Sequence, residues 1–181
     1  MLDHVGIAAV HQTVVDMGLL RTVVVASSGD LNAALADDFV RCGLGVTQAL
    51  ADPATMAGLR VLDPARCNST TPRDMTTLLA RIWRDEAASP TACGDMRRVL
   101  RLQVCRHRLA SGFPTDDVLV AAKTGTLLNL RNEIGVVELP DGRRYAVAVF
   151  TRSNNTTIRN PTAETVIGTT ARLAIDQLRA A

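Results

Sequence analysis

Apolar residues recur at spacings of three and four over most of the first 117 residues, and they gather into short continuous runs over residues 118–152. The first pattern is typical of amphipathic helices and the second of strands. A further helical pattern covers residues 160–179. The order of these segments predicts an α+β fold of the α/β/α type, with a helical region, a three-stranded antiparallel sheet and a C-terminal helix packed on it.

Capping residues and glycines predict where the first helices begin and end. The apolar spacing predicts one helix over Leu2–Leu19 and another over Asp30–Cys42, with Asp30 as the N-cap of the second. Between them, Thr22–Ala26 is β-branched and predicts either a short strand or an extended loop. Residues 43–68 are rich in glycine and proline, which predicts loops with one short helix around residues 46–50.

Two more helices are predicted before the sheet. Thr71 has the pattern of an N-cap, with Pro72 at the first helical position. Ser89 opens the next helix, whose predicted apolar face comprises Met96, Val99, Leu100 and Val104. The opposite face is basic and carries Arg97, Arg98, Arg101 and, just beyond it, Arg108. Acidic residues flank this basic face, so a solvated surface is expected rather than a nucleic-acid site.

Three apolar runs predict the strands of the sheet: Leu119–Thr126, Glu133–Leu139 and Arg144–Arg152. The sequence Pro140-Asp141-Gly142 is a hairpin signal, so the last two strands are expected to pair antiparallel. Pro161 then starts the C-terminal helix. This helix is expected to pack on the sheet through Val166, Ile167, Leu173, Ala174 and Leu178.

Length and composition narrow the class of protein. The chain has 181 residues, 47% of them hydrophobic, which predicts that residues 1–181 form one globular domain or a large part of one. Its net charge of +2 is too small to favour nucleic acid or membrane partners. The sequence contains no run of eighteen apolar residues and no signal-peptide pattern, so the chain taken as written predicts a cytoplasmic location. Its four cysteines are too widely spaced for a zinc site, and no metal or other cofactor is expected.

Lys123 stands out because it is the only lysine beside nineteen arginines. It lies in the first predicted strand and is followed by Thr124 and Gly125. These three residues offer an ammonium, a hydroxyl and a position where a ligand can approach the backbone, which suits an anion site. The simpler explanation is a solvated charge at the edge of a sheet.

Three stretches, taken in order, resemble the C-terminal two-thirds of class A serine β-lactamases and related penicillin-recognising acyl hydrolases. The segment Val5–Leu19 resembles the helix before the family's L-G-L turn, Asn68–Met75 resembles its T-T-P helix start, and Lys123–Thr126 matches its K-T-G box. The resemblance covers about Val5–Leu178, with residues 30–66 matching poorly. It implies a β-lactamase-like fold, of which this chain would form a single partial domain.

The resemblance implies a role for each residue of the K-T-G box. Lys123 would neutralise the carboxylate of a β-lactam or acyl-peptide, and Thr124 would hydrogen-bond that carboxylate. Gly125 would leave room for the ligand, and the backbone N–H of Thr126 would form one arm of an oxyanion hole. Arg131 lies near the position where many relatives place a second carboxylate-binding arginine.

The family's catalytic groups are absent from this sequence. Ser-x-x-Lys does not occur, because the residue three before the only lysine is Val120, and Ser-Asp-Asn does not occur either. The resemblance implies an acyl-enzyme hydrolase, typically periplasmic or secreted, but that chemistry needs an activated serine. The chain is therefore expected to be a fragment that is inactive alone. The alternative is a non-catalytic module of the same fold that binds a ligand or a partner.

The resemblance also implies that the rest of the fold extends the sheet beside the last strand, about Tyr145–Thr151. Without that part, this strand would have an open apolar edge. Open strand edges pair with other chains. Self-association through this edge is therefore expected.

Overall fold

The structure is a computed structural model that describes residues 2–154, 156–157 and 160–180. The chain divides into two compact units, residues 1–74 and residues 75–181. Helix α6 (Pro72–Trp83) contains the boundary between them. The single domain expected from length stays a prediction.

The first unit is helical. It contains α1 (Leu2–Val5), α2 (Ile7–Asp16), α3 (Ser28–Cys42), α4 (Val46–Ala51) and α5 (Pro53–Gly58), followed by a 3₁₀ helix at Arg60–Leu62. The short helix predicted around residues 46–50 is confirmed as α4, whereas α5 and the 3₁₀ helix were missed. The single helix predicted over Leu2–Leu19 is wrong, because Gly6 has a φ of 90°, outside the right-handed helical region, and it separates α1 from α2.

The start of α3 corrects the predicted N-cap. The N-cap is Ser27, whose hydroxyl accepts a hydrogen bond from the N–H of Asp30 at 3.2 Å. The Asp30 carboxylate accepts one in return from the N–H of Ser27 at 2.8 Å, which completes a capping box. These two hydrogen bonds hold the pKa of Asp30 below its usual range.

The segment Thr22–Ala26 is an extended loop, the second of the two alternatives left open by its sequence. Val23 forms a single β-bridge with Ser69, through two backbone hydrogen bonds of 2.8 and 3.0 Å. The hydroxyl of Thr71 accepts a hydrogen bond from the N–H of Asp74 at 3.2 Å. This confirms that Thr71 caps α6.

The second unit is built around β1 (Leu119–Leu127), β2 (Leu130–Glu138) and β3 (Arg144–Arg152), which pair antiparallel in the order β1-β2-β3. The predicted sheet is confirmed, and so is the hairpin at Pro140–Gly142, where Gly142 has a φ of 82°. Strand β2 begins three residues earlier than predicted. Leu128 has a φ of 47°, which allows a tight turn between β1 and β2 and extends their pairing.

Helix α8 (Pro161–Ala180) packs on one face of this sheet. The buried cluster comprises Leu109, Phe113, Val118, Ala122, Val137, Ile167, Ala171 and Ile175. The predicted packing face of α8 is correct only at Ile167. Leu173 and Leu178 are 65% and 64% exposed, and Val166 and Ala174 are also exposed. Ile167, Ala171 and Ile175 recur every four residues and so share the face that meets the sheet.

Helix α7 (Pro90–Arg101) also differs from its predicted packing. Cys93 is its fully buried side chain, whereas Val99 is 59% exposed. Val104 lies beyond the end of the helix and is 87% exposed. The apolar face predicted through Val99 and Val104 is therefore wrong, because Val99 lies on the exposed side of α7 and Val104 follows the end of the helix.

Gly168 brings α8 into close contact with the segment before β1, which contains a second 3₁₀ helix at Leu109–Gly112. A Cβ atom at Gly168 would lie 2.5 Å from the carbonyl oxygen of Arg108 and 2.6 Å from the backbone nitrogen of Gly112. Real Cβ atoms do not approach backbone this closely. This backbone-to-backbone contact positions Arg108 beside the end of β1.

Candidate anion-binding site

The face of the sheet that packs on α8 becomes polar at one end. Ala122 lies in the apolar core, and Thr124 and Thr126 follow on the same face because side chains alternate along a strand. Their antiparallel partners on β2 are Glu133 and Arg131. The K-T-G box thus lies where the hydrophobic core ends and a cluster of polar side chains begins.

Lys123 lies on the opposite face of β1 from the two threonines and is exposed. Its Nζ atom donates a hydrogen bond to the carbonyl oxygen of Thr124 at 2.7 Å, which brings the ammonium back to the strand. Within the part of the chain that the structure describes, Lys123 forms no salt bridge within 4.0 Å. Its charge is therefore available to an incoming anion.

Gly125 is exposed, and the fold itself does not require a glycine there. A Cβ atom at Gly125 would meet only the Cβ of Asn132, at 3.6 Å, which is an ordinary van der Waals contact. The space that the missing side chain leaves on the exposed side of β1 is consequently available to a ligand.

Arg108 holds the K-T-G strand from the segment before β1. Its Nη1 atom donates to the carbonyl oxygens of Gly125 and Asn132 at 3.3 and 3.2 Å, and its Nη2 atom donates to Oγ1 of Thr126 at 2.8 Å. A hydroxyl that accepts a hydrogen bond keeps its own hydrogen to donate. The contact with Arg108 therefore leaves the Thr126 hydroxyl able to donate to an anion.

The position of Arg108 corrects the sequence prediction, which placed it on a solvated basic face. Its side chain is only 5% exposed. The isolated arginine gave no sequence signal for this environment, because its partners are far away in the chain, at Thr126, Asn132 and Glu164. Only their positions in the fold bring them together.

Glu164, in the first turn of α8, shares one carboxylate oxygen among three basic side chains. Its Oε1 atom lies 3.3 Å from Nη2 of Arg108, 3.5 Å from Nε2 of His107 and 4.0 Å from Nε of Arg131. Charge-assisted hydrogen bonds are usually about 2.7–2.9 Å long. Each of these three contacts is longer, so Glu164 only partly neutralises the two arginines beside it.

Glu133 is a buried carboxyl at the polar end of the sheet. Its side chain is fully buried, and one carboxylate oxygen accepts a hydrogen bond from the N–H of Leu109 at 2.5 Å. Burial raises the pKa of Glu133, while that hydrogen bond and the positive charges of Arg108, His107 and Lys123 oppose the rise.

Arg131, predicted to bind the ligand carboxylate, is buried beneath the turn between β1 and β2. Its Nη1 atom donates to the carbonyl oxygens of Leu128 and Leu130 at 2.7 and 2.8 Å, and its Nη2 atom donates to that of Thr157 at 2.7 Å. With 2% of its side chain exposed, Arg131 stabilises the turn. Its contact with a ligand stays a prediction, which this burial disfavours.

Gln103 is a further residue that sequence patterns did not single out. Its Nε2 atom lies 3.5 Å from Oγ1 of Thr124, and its Oε1 atom accepts a hydrogen bond from the N–H of Cys105 at 3.2 Å. We call Gln103, His107 and Arg108 the second wall of the site, since all three approach the polar end of β1 and α8 from the segment after α7. This segment has no regular hydrophobic period, so no pattern could have revealed the wall.

Two other expectations concern metals and membranes. Among the described residues, no group of three or more histidine, cysteine or acidic side chains is arranged to hold a metal ion. The same residues include no helix that is both long and apolar enough to span a bilayer. The four cysteines are free thiols, and Cys93 is the buried one.

Comparison with known proteins decides the family. The model of the β-lactamase enzyme family matches residues 1–178. The chain belongs to the β-lactamase enzyme family. A relative of this family member, the beta-lactamase regulatory protein BlaB of Streptomyces cacaoi, is 35% identical over 187 residues, which cover 95% of this chain and 60% of BlaB. The chain thus spans about three-fifths of the length of that relative.

Solved structures confirm the β-lactamase-like fold of this family member. A β-lactamase from Sphaerobacter thermophilus superposes with a TM-score of 0.71 at 22% identity, covering 99% of this chain and 56% of the enzyme. A variant of PBP-A, solved as an acyl-enzyme complex with penicillin G, superposes with a TM-score of 0.68 at 22% identity, covering 97% of this chain and 53% of that protein. At this identity the likeness concerns the fold alone.

Proposed function

We propose that this member of the β-lactamase family binds the carboxylate of a β-lactam or related acyl-peptide reversibly, and that it is inactive as a hydrolase by itself. The main support for this proposal is the hydrogen bond from Arg108 to Thr126, because it leaves the threonine hydroxyl free to donate. On the same strand, Lys123 supplies a positive charge that forms no ion pair with any carboxylate that the structure describes. Because Lys123 and Thr126 lie on opposite faces of β1, which is an edge strand, a carboxylate at the outer edge of this strand would meet the cation from one face and the hydroxyl donor from the other.

Acyl transfer is not expected from this chain, because among the described residues neither hydroxyl of the K-T-G box is hydrogen-bonded to a base. A hydroxyl becomes a nucleophile when a neighbouring group removes its proton. The partner of Thr126 is the guanidinium of Arg108, a cation that accepts no proton. The partner of Thr124 is the amide of Gln103, at 3.5 Å, which is not a base either. Ser-x-x-Lys is absent from the whole sequence.

Penicillin G is the probe we choose, since a PBP-A variant of the same fold forms an acyl-enzyme with it. Its equilibrium binding can be measured by calorimetry for the parent protein and for Lys123→Gln, Thr126→Val and Thr126→Ser. One hydrogen bond to a charged group contributes about 1.5–3 kcal/mol, or about tenfold or more in affinity. We expect Lys123→Gln and Thr126→Val each to weaken binding by about that factor, and Thr126→Ser to retain it.

The control is Arg106→Gln, which removes an exposed arginine of the same segment. Its binding should equal that of the parent, since Arg106 lacks the contacts of Arg108 to the strand. Binding that survives Lys123→Gln and Thr126→Val unchanged contradicts the proposed site. Absence of binding by the parent protein contradicts the proposed function itself.

A second candidate function comes from the relative whose name describes regulation, BlaB. In this version the chain is a non-catalytic module that binds a partner protein rather than a β-lactam. Competition separates the two candidates. If penicillin G releases a partner protein that the chain has bound, the partner and the β-lactam bind at the same anion site. If the partner binds and penicillin G does not, the chain is a partner-binding module.

We also propose that the chain self-associates through β3. Among the described residues no strand pairs with the outer edge of β3, and α8, which packs on the same sheet, exposes Leu173 and Leu178. Two copies paired antiparallel about Ala148 would set Val147 of each against Val149 of the other, a favourable cross-strand pair. We expect light scattering to give a dimer mass, whereas a monomer at tens of micromolar would contradict this pairing.

A further inference from the structure

His107 shares the counterion of Arg108 without lying in the buried cluster. Its imidazole is 54% exposed, and its Nε2 atom is 3.5 Å from Oε1 of Glu164. The same oxygen is 3.3 Å from Arg108. Two consecutive residues of the second wall thus compete for one carboxylate oxygen, and one of the two is a histidine.

The charges that face this pair come from every element around it. Arg108 belongs to the same segment, Lys123 to β1, Glu133 and Arg131 to β2, and Glu164 to α8. When His107 is neutral, Glu164 serves as the counterion of the two arginines. When His107 is protonated, it attracts the same carboxylate and adds a positive charge beside the K-T-G strand.

We infer that His107 is a positioning residue of the anion site: its protonated form draws Glu164 away from Arg108 and so strengthens the binding of a carboxylate at Thr126 and Lys123. The inference rests on the function proposed above. His107 would thus make carboxylate affinity depend on pH, which the residues of the K-T-G box do not do by themselves.

The direction of the effect follows from the charges. Histidine gains its proton between about pH 8 and pH 5, whereas a ligand carboxylate stays ionised until about pH 4. Carboxylate binding should therefore tighten as the pH falls from about 8 to about 5.5. One added unit charge near a partly solvated anion is worth about threefold to fivefold in affinity.

The test measures the affinity of the chain for penicillin G by calorimetry at several pH values over that interval. The parent protein should bind about threefold to fivefold more tightly at the low end. His107→Gln should bind with the parent's high-pH affinity throughout, and His107→Lys, which is always charged, should bind tightly throughout. His4→Gln, which removes an exposed histidine of the first unit, should behave as the parent.

Each failure has a distinct meaning. A pH dependence that persists in His107→Gln but is lost in Glu133→Gln assigns the effect to Glu133 and overturns the inference. Binding that depends on Lys123 but not on pH overturns the inference and leaves the proposed function intact. Absence of binding at every pH overturns both.

Discussion

The Nη2 atom of Arg108 donates a hydrogen bond to Oγ1 of Thr126 at 2.8 Å, and it thereby joins the segment before β1 to the K-T-G strand. The same guanidinium reaches the carbonyl oxygens of Gly125 and Asn132 and lies beside Glu164. One buried side chain therefore fixes both the shape of the strand end and the direction in which the Thr126 hydroxyl can donate.

Arg108→Lys tests this double role. A lysine keeps the charge, but one ammonium cannot reproduce the planar set of donors that contacts two carbonyl oxygens and a hydroxyl together. We expect the free energy of unfolding, measured in urea, to fall by about 1–3 kcal/mol. Penicillin G binding should weaken by about tenfold. The control Arg106→Lys should change neither quantity. If Arg108→Lys lost stability but kept its affinity for penicillin G, Arg108 would have a structural role only.

Gly125→Ala tests whether the space beside Gly125 serves ligand binding rather than folding. The new Cβ would make only an ordinary contact with Asn132, at 3.6 Å, so stability should stay within about 0.5 kcal/mol of the parent. The methyl group would stand where the proposed ligand approaches the strand, and binding of penicillin G should be lost. Unchanged affinity in a folded variant would show that no ligand passes close to Gly125.

Gly168→Ala tests the contact that positions Arg108. Its Cβ would lie 2.5 Å from the Arg108 carbonyl oxygen, and overpacking of this kind costs about 1–3 kcal/mol. The melting temperature should therefore fall. The matched control is Gly94→Ala in α7, where the Cβ would meet only a side-chain nitrogen of Arg97 at 3.8 Å. That variant should be neutral or stabilised by up to about 1 kcal/mol, because alanine is the better helix former.

Glu133→Gln tests the buried carboxyl. Burial raises the pKa of Glu133, so the folded protein holds this proton more tightly than the unfolded chain does. The stability that the proton contributes is full below the unfolded pKa, about 4.3, and is lost as the pH rises through the folded pKa.

Glutamine keeps an oxygen for the N–H of Leu109 but does not titrate. The free energy of unfolding of Glu133→Gln relative to the parent should therefore increase as the pH rises above about 4.3, as measured by urea unfolding at each pH. A difference that is constant or decreases over this range would mean that the surrounding cations outweigh burial.

The sheet and the K-T-G box could be predicted because their signals are local. Runs of β-branched residues and the Pro140–Gly142 hairpin define the strands, and Lys123 is conspicuous as the only lysine. Arg108 and His107 could not be predicted. Their roles depend on Glu164, more than fifty residues away, and nothing in a single sequence links the two positions.

The packing of α8 was mispredicted for a different reason. Hydrophobicity favoured Leu173 and Leu178, but the close approach of the helix to the segment before β1 requires a glycine at Gly168, on the face that also buries Ala171. Shape decided which face is buried. A pattern of apolar residues does not contain that information.

The central claim is that the site binds a β-lactam carboxylate without forming a covalent bond. Intact-mass spectrometry after incubation with penicillin G, on the same sample that shows binding by calorimetry, tests it most directly. We predict that the chain keeps its unmodified mass while binding penicillin G reversibly. A stable mass increase of one penicillin G molecule per chain would contradict the claim and reveal a nucleophile in these 181 residues.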